Sequence, residues 1–533
     1  MTKSELQKLI KVEDRLNQLA KEEYGLTYCD IEWDIIPDEK MLEIMAYHIP
    51  GNVSNWKYGR DYERLRTINE HVHAGLPYEV VINSDPSRAY LMKSNTFGVQ
   101  CLVMAHVIGH VAFFTMNKYF QESRRDIISF MQMASQRFNE YERKYGIDDV
   151  EKIVDAAHAI MFHSSPFDNE TEDQKRERLF EYEKKRAHKV SKSQFRDLID
   201  DGQDEVKKDI ERFNQQLWRK LMMKTPVEPT GDLLRYIIDN SSILEPWEQD
   251  ICEVIRQEGR YYWPQIKTKY MNEGFATYWH EILFKDLINE GILGHTEHAE
   301  FTYANALVKA MNPVQMNPYL IGSKIWENIV SRWDKGQHGT EWDNCEDRVI
   351  KEKWDTGDMK GREKMMEVLG SYTDWFFVQN FLTPELVDDL KMYVYVIQET
   401  QTTYDYVRTK HTAQEVAKLI IDSFAHSHIP KIEIVDGNGN DSKIMILEHR
   451  HSGADLNIEY ASHTLKHIHD LWGREVVIDT IIDDKDVRFR VDRSGKFMRP
   501  QMLEKDKKGS DIWSTFMISN PFEHPNPVVK LIK

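Results

Sequence analysis

Cysteine is scarce in this chain of 533 residues: Cys29, Cys101, Cys252 and Cys345 stand far apart, with no CxxC pair. That excludes a thiolate zinc site and a disulfide framework, and it suits a reducing compartment. An excess of positive charge is missing too. The 88 acidic residues outweigh 70 basic ones, giving a formal net charge of −18, which argues against nucleic acid as a partner. The first residues, MTKSELQKLIKVEDRLNQLAKEEYG, form an amphipathic charged helix and not a basic stretch followed by an apolar one. The longest apolar run falls short of the roughly 18 residues that a bilayer span needs, and it carries two histidines. A soluble, cytoplasmic protein without a transmembrane segment is expected. Low-complexity tracts and internal repeats are also lacking.

Aromatic residues, by contrast, are plentiful. With 13 Trp and 24 Tyr, disorder is excluded as the dominant state, and the length suits about two to four domains. Apolar residues recur at i, i+3, i+4 and i+7 through segments such as DIISFMQMASQRFNEYERKYG and EKIVDAAHAIMFH, so helix is predicted from residue 1 to about 425. One exception is LPYEVVINSDPSRAYL at 76–91, a β-prone run broken by the turn signal Asn83-Ser84-Asp85-Pro86. Residues 168–224 are unusually charged and read as a solvated helical insertion. From about 426 the period changes from 3.6 to 2: KIEIVD, SKIMILEHRH, REVVIDTIID and VRFRVD read as strands, with a hairpin turn at GNGN and a helix at ASHTLKHIHDLWG. The predicted architecture is therefore mainly α. It has a helical body (1–425), a small α+β C-terminal domain (426–505) and a polar tail (506–533).

The chemistry concentrates in the run CLVMAHVIGHVAFF, which sets His106 and His110 four residues apart on one face of a greasy helix. Burying two imidazoles is costly unless each finds a partner. Either a metal supplies it, or the rings are core histidines bonded to neighbouring carbonyls. The zincin signature H-E-x-x-H has this spacing, with the Glu as general base, but here that position is Val107. A second stretch, YYWPQIKTKYMNEGFATYWHEIL at 261–283, places Pro264 near the start of a segment and a helix from Asn272 onward. Glu273 and His280 fall two turns apart on nearly one side, with Ala276 and Thr277 small enough for a close helix neighbour. Glu281 points away and is expected to be solvated. His106, His110 and Glu273 make a plausible ligand set, with His158 and His280 as further ligands or as partners behind them. Zinc fits first, and iron or manganese suits the same residue types. The ExxH motifs of di-iron bundles are not evident, so one metal is expected. His463, His467 and His469 lie on a polar helix and read as an exposed face.

Taken in order, VINSDPSRAYL, AHVIGHVAFF, YYWPQIKTKYMNEGFATYWH, AMNPVQMNPYLIG, QNFLTPELVDDL and YASHTLKHIHDLWGREVVIDT resemble the stage V sporulation protein R (SpoVR) family over nearly the whole chain. That resemblance implies a bacterial cytoplasmic protein tied to formation of the spore cortex, with protein partners in that pathway. Where family members commonly carry Asp and Lys-Asn after the second histidine, this chain has Ala112 and Thr115-Met116. Over two helices only, HVIGHVAFF and EGFATYWHE are also similar to the zinc-peptidase pair HExGHxxYF and EGF-HE, in which the later Glu is the third ligand. Two classes of function are implied: a metal-dependent hydrolase, or a non-catalytic regulator or scaffold with a structural His/Glu cluster.

Overall fold

The computed structural model describes residues 2–46, 79–164, 169–194, 203–311, 316–399, 404–425, 429–439, 443–505 and 511–515. Several expected features fall partly outside them: residues 76–78 of the β-prone run, 168 and 195–202 of the charged insertion, 312–315 of AMNPVQMNPYLIG, Asn440 of the GNGN turn, and most of the tail. The protein is mainly helical, and it divides into two compact units that do not follow chain order. One is built from residues 1–140 and 261–427, the other from 141–260 and 428–524.

The first unit opens with the amphipathic helix Lys3–Gln18, started by a reciprocal Thr2–Glu5 capping box and buried through Leu9, Val12 and Leu16. A three-stranded sheet follows. Strand β2 (Glu79–Ile82) pairs antiparallel with β3 (Ser87–Met92), which pairs parallel with β1 (Ile31–Ile36). The turn at Asn83–Pro86 closes on itself, the Ser84 amide donating to Ile82 and its hydroxyl to Pro86. Strand β1 and the hairpin β4 (Tyr395–Glu399)–β5 (Tyr404–Arg408) lie where helix was expected. Strand β1 is short and partly buried, so it carries little periodic signal, and its parallel partner β3 far along the chain decides it.

Behind the sheet runs the histidine helix, Phe97–Met116, buried on every side from Gly98 to Phe114. It is the one described helix long and apolar enough to cross a membrane, yet 94% of its most apolar window is buried within the protein. Against it packs the glutamate helix, Lys269–Asn289, which also meets Pro318–Asp334. Pro264 proves to lie near the end of the preceding helix, Pro246–Lys267, and the chain breaks at Thr268 before the glutamate helix starts. Phe275, Leu283 and Phe284 on that helix are fully buried, and each such side chain contributes roughly 1.5–3 kcal/mol.

Both crossings are glycine-close. A Cβ on Gly109 would stand 2.6 Å from Ala276 Cα. One on Gly274 would stand 2.3 Å from the Gly322 carbonyl carbon, and one on Gly322 would stand 2.1 Å from the Tyr270 oxygen. Ala276 thus admits its neighbour as its small size predicts.

In the second unit, β6 (Ile432–Gly439), β7 (Ile444–His449), β8 (Val476–Ile482), β9 (Lys485–Val491), β10 (Gln501–Lys505) and β11 (Asp511–Thr515) form one sheet in sequence order. Only β7 and β8 pair parallel, and the helix Ile458–Trp472 makes the crossover between them. Gly473, at φ +75°, ends that helix in the left-handed conformation glycine favours. Residues 141–260 pack with this sheet: Thr230 and Ile434 exchange main-chain hydrogen bonds of 3.1 and 2.8 Å. The charged insertion forms two neighbouring helices, Glu172–Gln194 and Gln203–Met223, with Phe180 edge-on to Trp218.

Replacing Gly322 with Ala should force the glutamate helix away from its neighbour, at a cost of about 1–3 kcal/mol or more. Gly370→Ala, whose Cβ would meet only the Met116 oxygen at 3.8 Å, should be neutral or up to about 1 kcal/mol stabilising. Thermal denaturation of the two variants checks the contrast; equal Tm values would contradict the close packing.

Candidate metal centre

Three elements of the first unit deliver the side chains. The histidine helix presents His106 and His110 one turn apart, their rings edge-on with centroids 4.5 Å apart. Across the Gly109–Ala276 crossing, the glutamate helix aims Glu273 between them. Its Oε2 lies 3.7 Å from His106 Nε2 and 3.4 Å from His110 Nε2. The third contributor is Glu79, the first residue of β2, whose Oε1 stands 3.8 Å from His106 Nε2. Ligand-type atoms of Glu79, His106 and His110 all fall within 4.8 Å of one another.

These nitrogens and oxygens face each other at separations longer than a hydrogen bond. His106 Nε2 and Glu273 Oε2 are buried and have no hydrogen-bond partner, a costly state in a protein interior. His110 Nδ1 donates to Asn272 Oδ1 at 2.9 Å, leaving its Nε2 turned toward Glu273. Burial pushes the Glu273 carboxyl up, but the facing His106 and His110 rings pull it well below the usual carboxylate range. Burial pushes His110 down, while Glu273 pushes it up and prevails. Glu79 is raised, by burial first, against the pull of both histidines. Tyr319 leans over the site with its ring 5.9 Å from that of His106. Burial, then the nearby Glu273 and Glu79 charges, raise its phenol far above the ordinary value, so it stays a neutral donor.

His280 joins this group from behind. Its Nδ1 meets His106 Nδ1 at 2.9 Å and its Nε2 meets Asn305 Oδ1 at 3.0 Å. Burial, and next the neighbouring His106, hold it well below the ordinary histidine value. Both ring nitrogens of His280 are engaged by these neighbours. His158 is placed elsewhere, in the second unit, where its Nε2 lies 3.5 Å from the buried Glu258. Glu281 is not simply solvated: it accepts from Asn305 Nδ2 at 2.8 Å and from Lys309 Nζ at 2.7 Å. Glu79, Asn272, Tyr319 and Asn305 were not among the expected residues. Glu79 alone left a trace, as a carboxylate opening an apolar β-prone run in a chain whose HxxxH motif lacks its own.

The donor set, two imidazole nitrogens with one or two carboxylates, is of a kind that could hold a divalent metal ion. A proton held between His110 and Glu273 is the other way to reconcile such atoms.

Comparison with known proteins gives this architecture its family. The SpoVR like protein family matches residues 3–429 and the SpoVR-like C-terminal domain matches residues 430–483. The chain belongs to the SpoVR family. It is 26% identical over 482 residues to the uncharacterized protein YcgB of Escherichia coli (strain K12), covering 85% of this chain and 88% of that protein. No solved structure matches it.

The two ion-pair shifts set a pH signature for metal-free protein. Glu273, lowered on folding, contributes stability above its ordinary value of 4.5, and this is lost as pH falls through its folded value. His110, raised on folding, contributes below its ordinary value of 6.5, and this is lost as pH rises through its folded value. Their joint contribution should peak between about pH 4.5 and 6.5. Thermal melts of chelator-treated protein across pH should show this excess over His110→Gln, which should lose about 3 kcal/mol there. Parallel pH profiles would refute the pairing.

Proposed function

We propose that the protein is a metal-dependent hydrolase of zincin-like type. One divalent ion, zinc first, is held by His106 Nε2, His110 Nε2 and a Glu273 oxygen, with Glu79 as the base that Val107 cannot be. The observation that carries this reading is the set of buried, mutually facing nitrogens and oxygens at 3.4–3.8 Å, two of them without a partner. Atoms bonded to one ion at about 2.0–2.2 Å stand roughly 3–4 Å apart, so the spacing suits a shared cation. When bound, such an ion polarises a carbonyl or phosphoryl oxygen and acidifies water. Glu79, its carboxyl raised by burial and placed beside His106, takes the proton. Tyr319 donates its phenol proton as a hydrogen bond to the oxygen on which charge develops.

The family's name supports a role in sporulation, and we propose that this role lies in formation of the spore cortex, with protein partners of that pathway. Four free cysteines and a net charge of −18 support a cytoplasmic protein. It would then act indirectly, on a cytoplasmic precursor, a regulatory protein or a membrane-associated synthetic complex. A second reading, a non-catalytic regulator or scaffold with a structural His/Glu cluster, is favoured by the raised His110, which can satisfy Glu273 with a proton.

Elemental analysis of protein purified without an affinity tag should give about one zinc per chain, lost in Glu273→Gln and kept in Glu79→Gln. Glu79→Gln should slow turnover about 10²–10⁴-fold, and so fail to restore cortex content and heat resistance to spores of a deletion strain. Wild-type protein that takes up no metal even after zinc reconstitution, or a His106/His110 double variant that restores normal spores, would leave the scaffold reading standing.

A further inference from the structure

A chain of hydrogen bonds leads from the centre to the far side of the glutamate helix. His106 Nδ1 meets His280 Nδ1, His280 Nε2 meets Asn305 Oδ1, and Asn305 Nδ2 meets Glu281 Oε1, which Lys309 Nζ also contacts. The direction of every link follows from its outer end. Glu281 is a carboxylate and only accepts, so Asn305 must turn its NH2 group toward it and its oxygen toward His280. His280 Nε2 must then carry the proton that this oxygen accepts. The other nitrogen of that ring meets an imidazole, and neither of its partners bears a charge that would hold a second proton. His280 Nδ1 is therefore a lone pair, and His106 must donate Nδ1–H to it. That leaves His106 Nε2 as a lone pair aimed at Glu79 and Glu273, which accounts for its lack of a hydrogen-bond partner and leaves the proton that faces Glu273 to His110.

An asparagine amide can flip. Exchanging its oxygen and nitrogen would reverse each link and place a proton on His106 Nε2. That arrangement suits the two facing carboxylates well in the absence of an ion, but it removes the lone pair that a metal needs. The chain thus has two self-consistent states, and the Glu281–Lys309 pair at its outer end selects between them.

We infer that Glu281 is a positioning residue that, through Asn305 and His280, fixes the His106 tautomer and keeps the centre in its metal-accepting state. This rests on the metal-centre reading above. Glu281→Ala frees the Asn305 amide and should weaken zinc binding about 10–100-fold in competition with a chromogenic chelator. Adding Asn305→Asp to that variant replaces the flippable amide with a group that only accepts, and it should restore most of the affinity. Loss of packing or of a surface ion pair would not be repaired in this way.

A second readout needs no metal. In long-range ¹⁵N spectra of histidine-labelled, chelator-treated protein, the His106 signal, identified by its loss in His106→Gln, should report Nδ1–H in the wild type and Nε2–H in Glu281→Ala. Zinc affinity unchanged in Glu281→Ala, no recovery in the double variant, or Nε2–H in the wild type would each overturn the inference while leaving the metal centre intact. Failure of the wild type to bind zinc would overturn the metal centre, and the metal-free tautomers would still judge the relay.

Discussion

The distance of closest approach between helices is the constraint on which the centre depends. Imidazole and carboxylate side chains are short, so two helices must pack closely to bring their tips together in an interior. The glutamate helix achieves this twice on opposite sides: at Gly109 against Ala276, and at Gly274 against Gly322. One crossing sets Glu273 over the histidine pair. The other fixes the helix that carries Tyr319, since Pro318–Asp334 begins immediately before that residue. A methyl group at any of these glycines would force the helices apart and shift the facing side chains with them.

What holds that crowded interface in place is largely polar. The buried Asp374 carboxylate accepts from the Tyr270 and Met271 amides, at 2.9 and 2.8 Å, satisfying donors that the start of the glutamate helix leaves open. Trp326 donates its indole proton to the Met271 oxygen at 3.0 Å. Burial raises the Asp374 carboxyl to about 7 even so. Glu273 lies only a few residues beyond these contacts. The Glu273 carboxylate is thus carried close to an end of its helix that is tied down by buried hydrogen bonds.

Much of this was legible in the residues because it is local. The histidine pair, its burial, the two-turn spacing of Glu273 and His280, and the smallness of Ala276 all follow from helical periodicity. The period change near Lys431 announces β6 to β9, and the SpoVR-like motifs carry the family. Features that arise between distant segments left no such mark. Strand β1 pairs parallel with β3 from more than fifty residues away, and Glu79 reaches the centre only because β2 lies beside β3. Asn305 and Tyr319 sit on helices whose periodicity says nothing about which neighbour they touch. His158 was a candidate by residue type, yet it is placed in the other unit beside Glu258.

The same distinction between local and distant explains why Val107 is less of an anomaly than the motif suggests. A residue next to His106 is rotated by about 100° around the helix, and here that direction points into the apolar cluster with Val103 and Val111, all fully buried. A glutamate at that position would bury a charge among aliphatic side chains, which is costly. Glu79 brings a carboxylate to the same nitrogen from the sheet side, where two histidines already face it. The helix can then stay apolar around Val107 and keep its two ionisable rings on the face that meets Glu273. A core helix with two ionisable rings is stable on those terms, because each charge-bearing group is answered across a crossing and not along the helix that carries it.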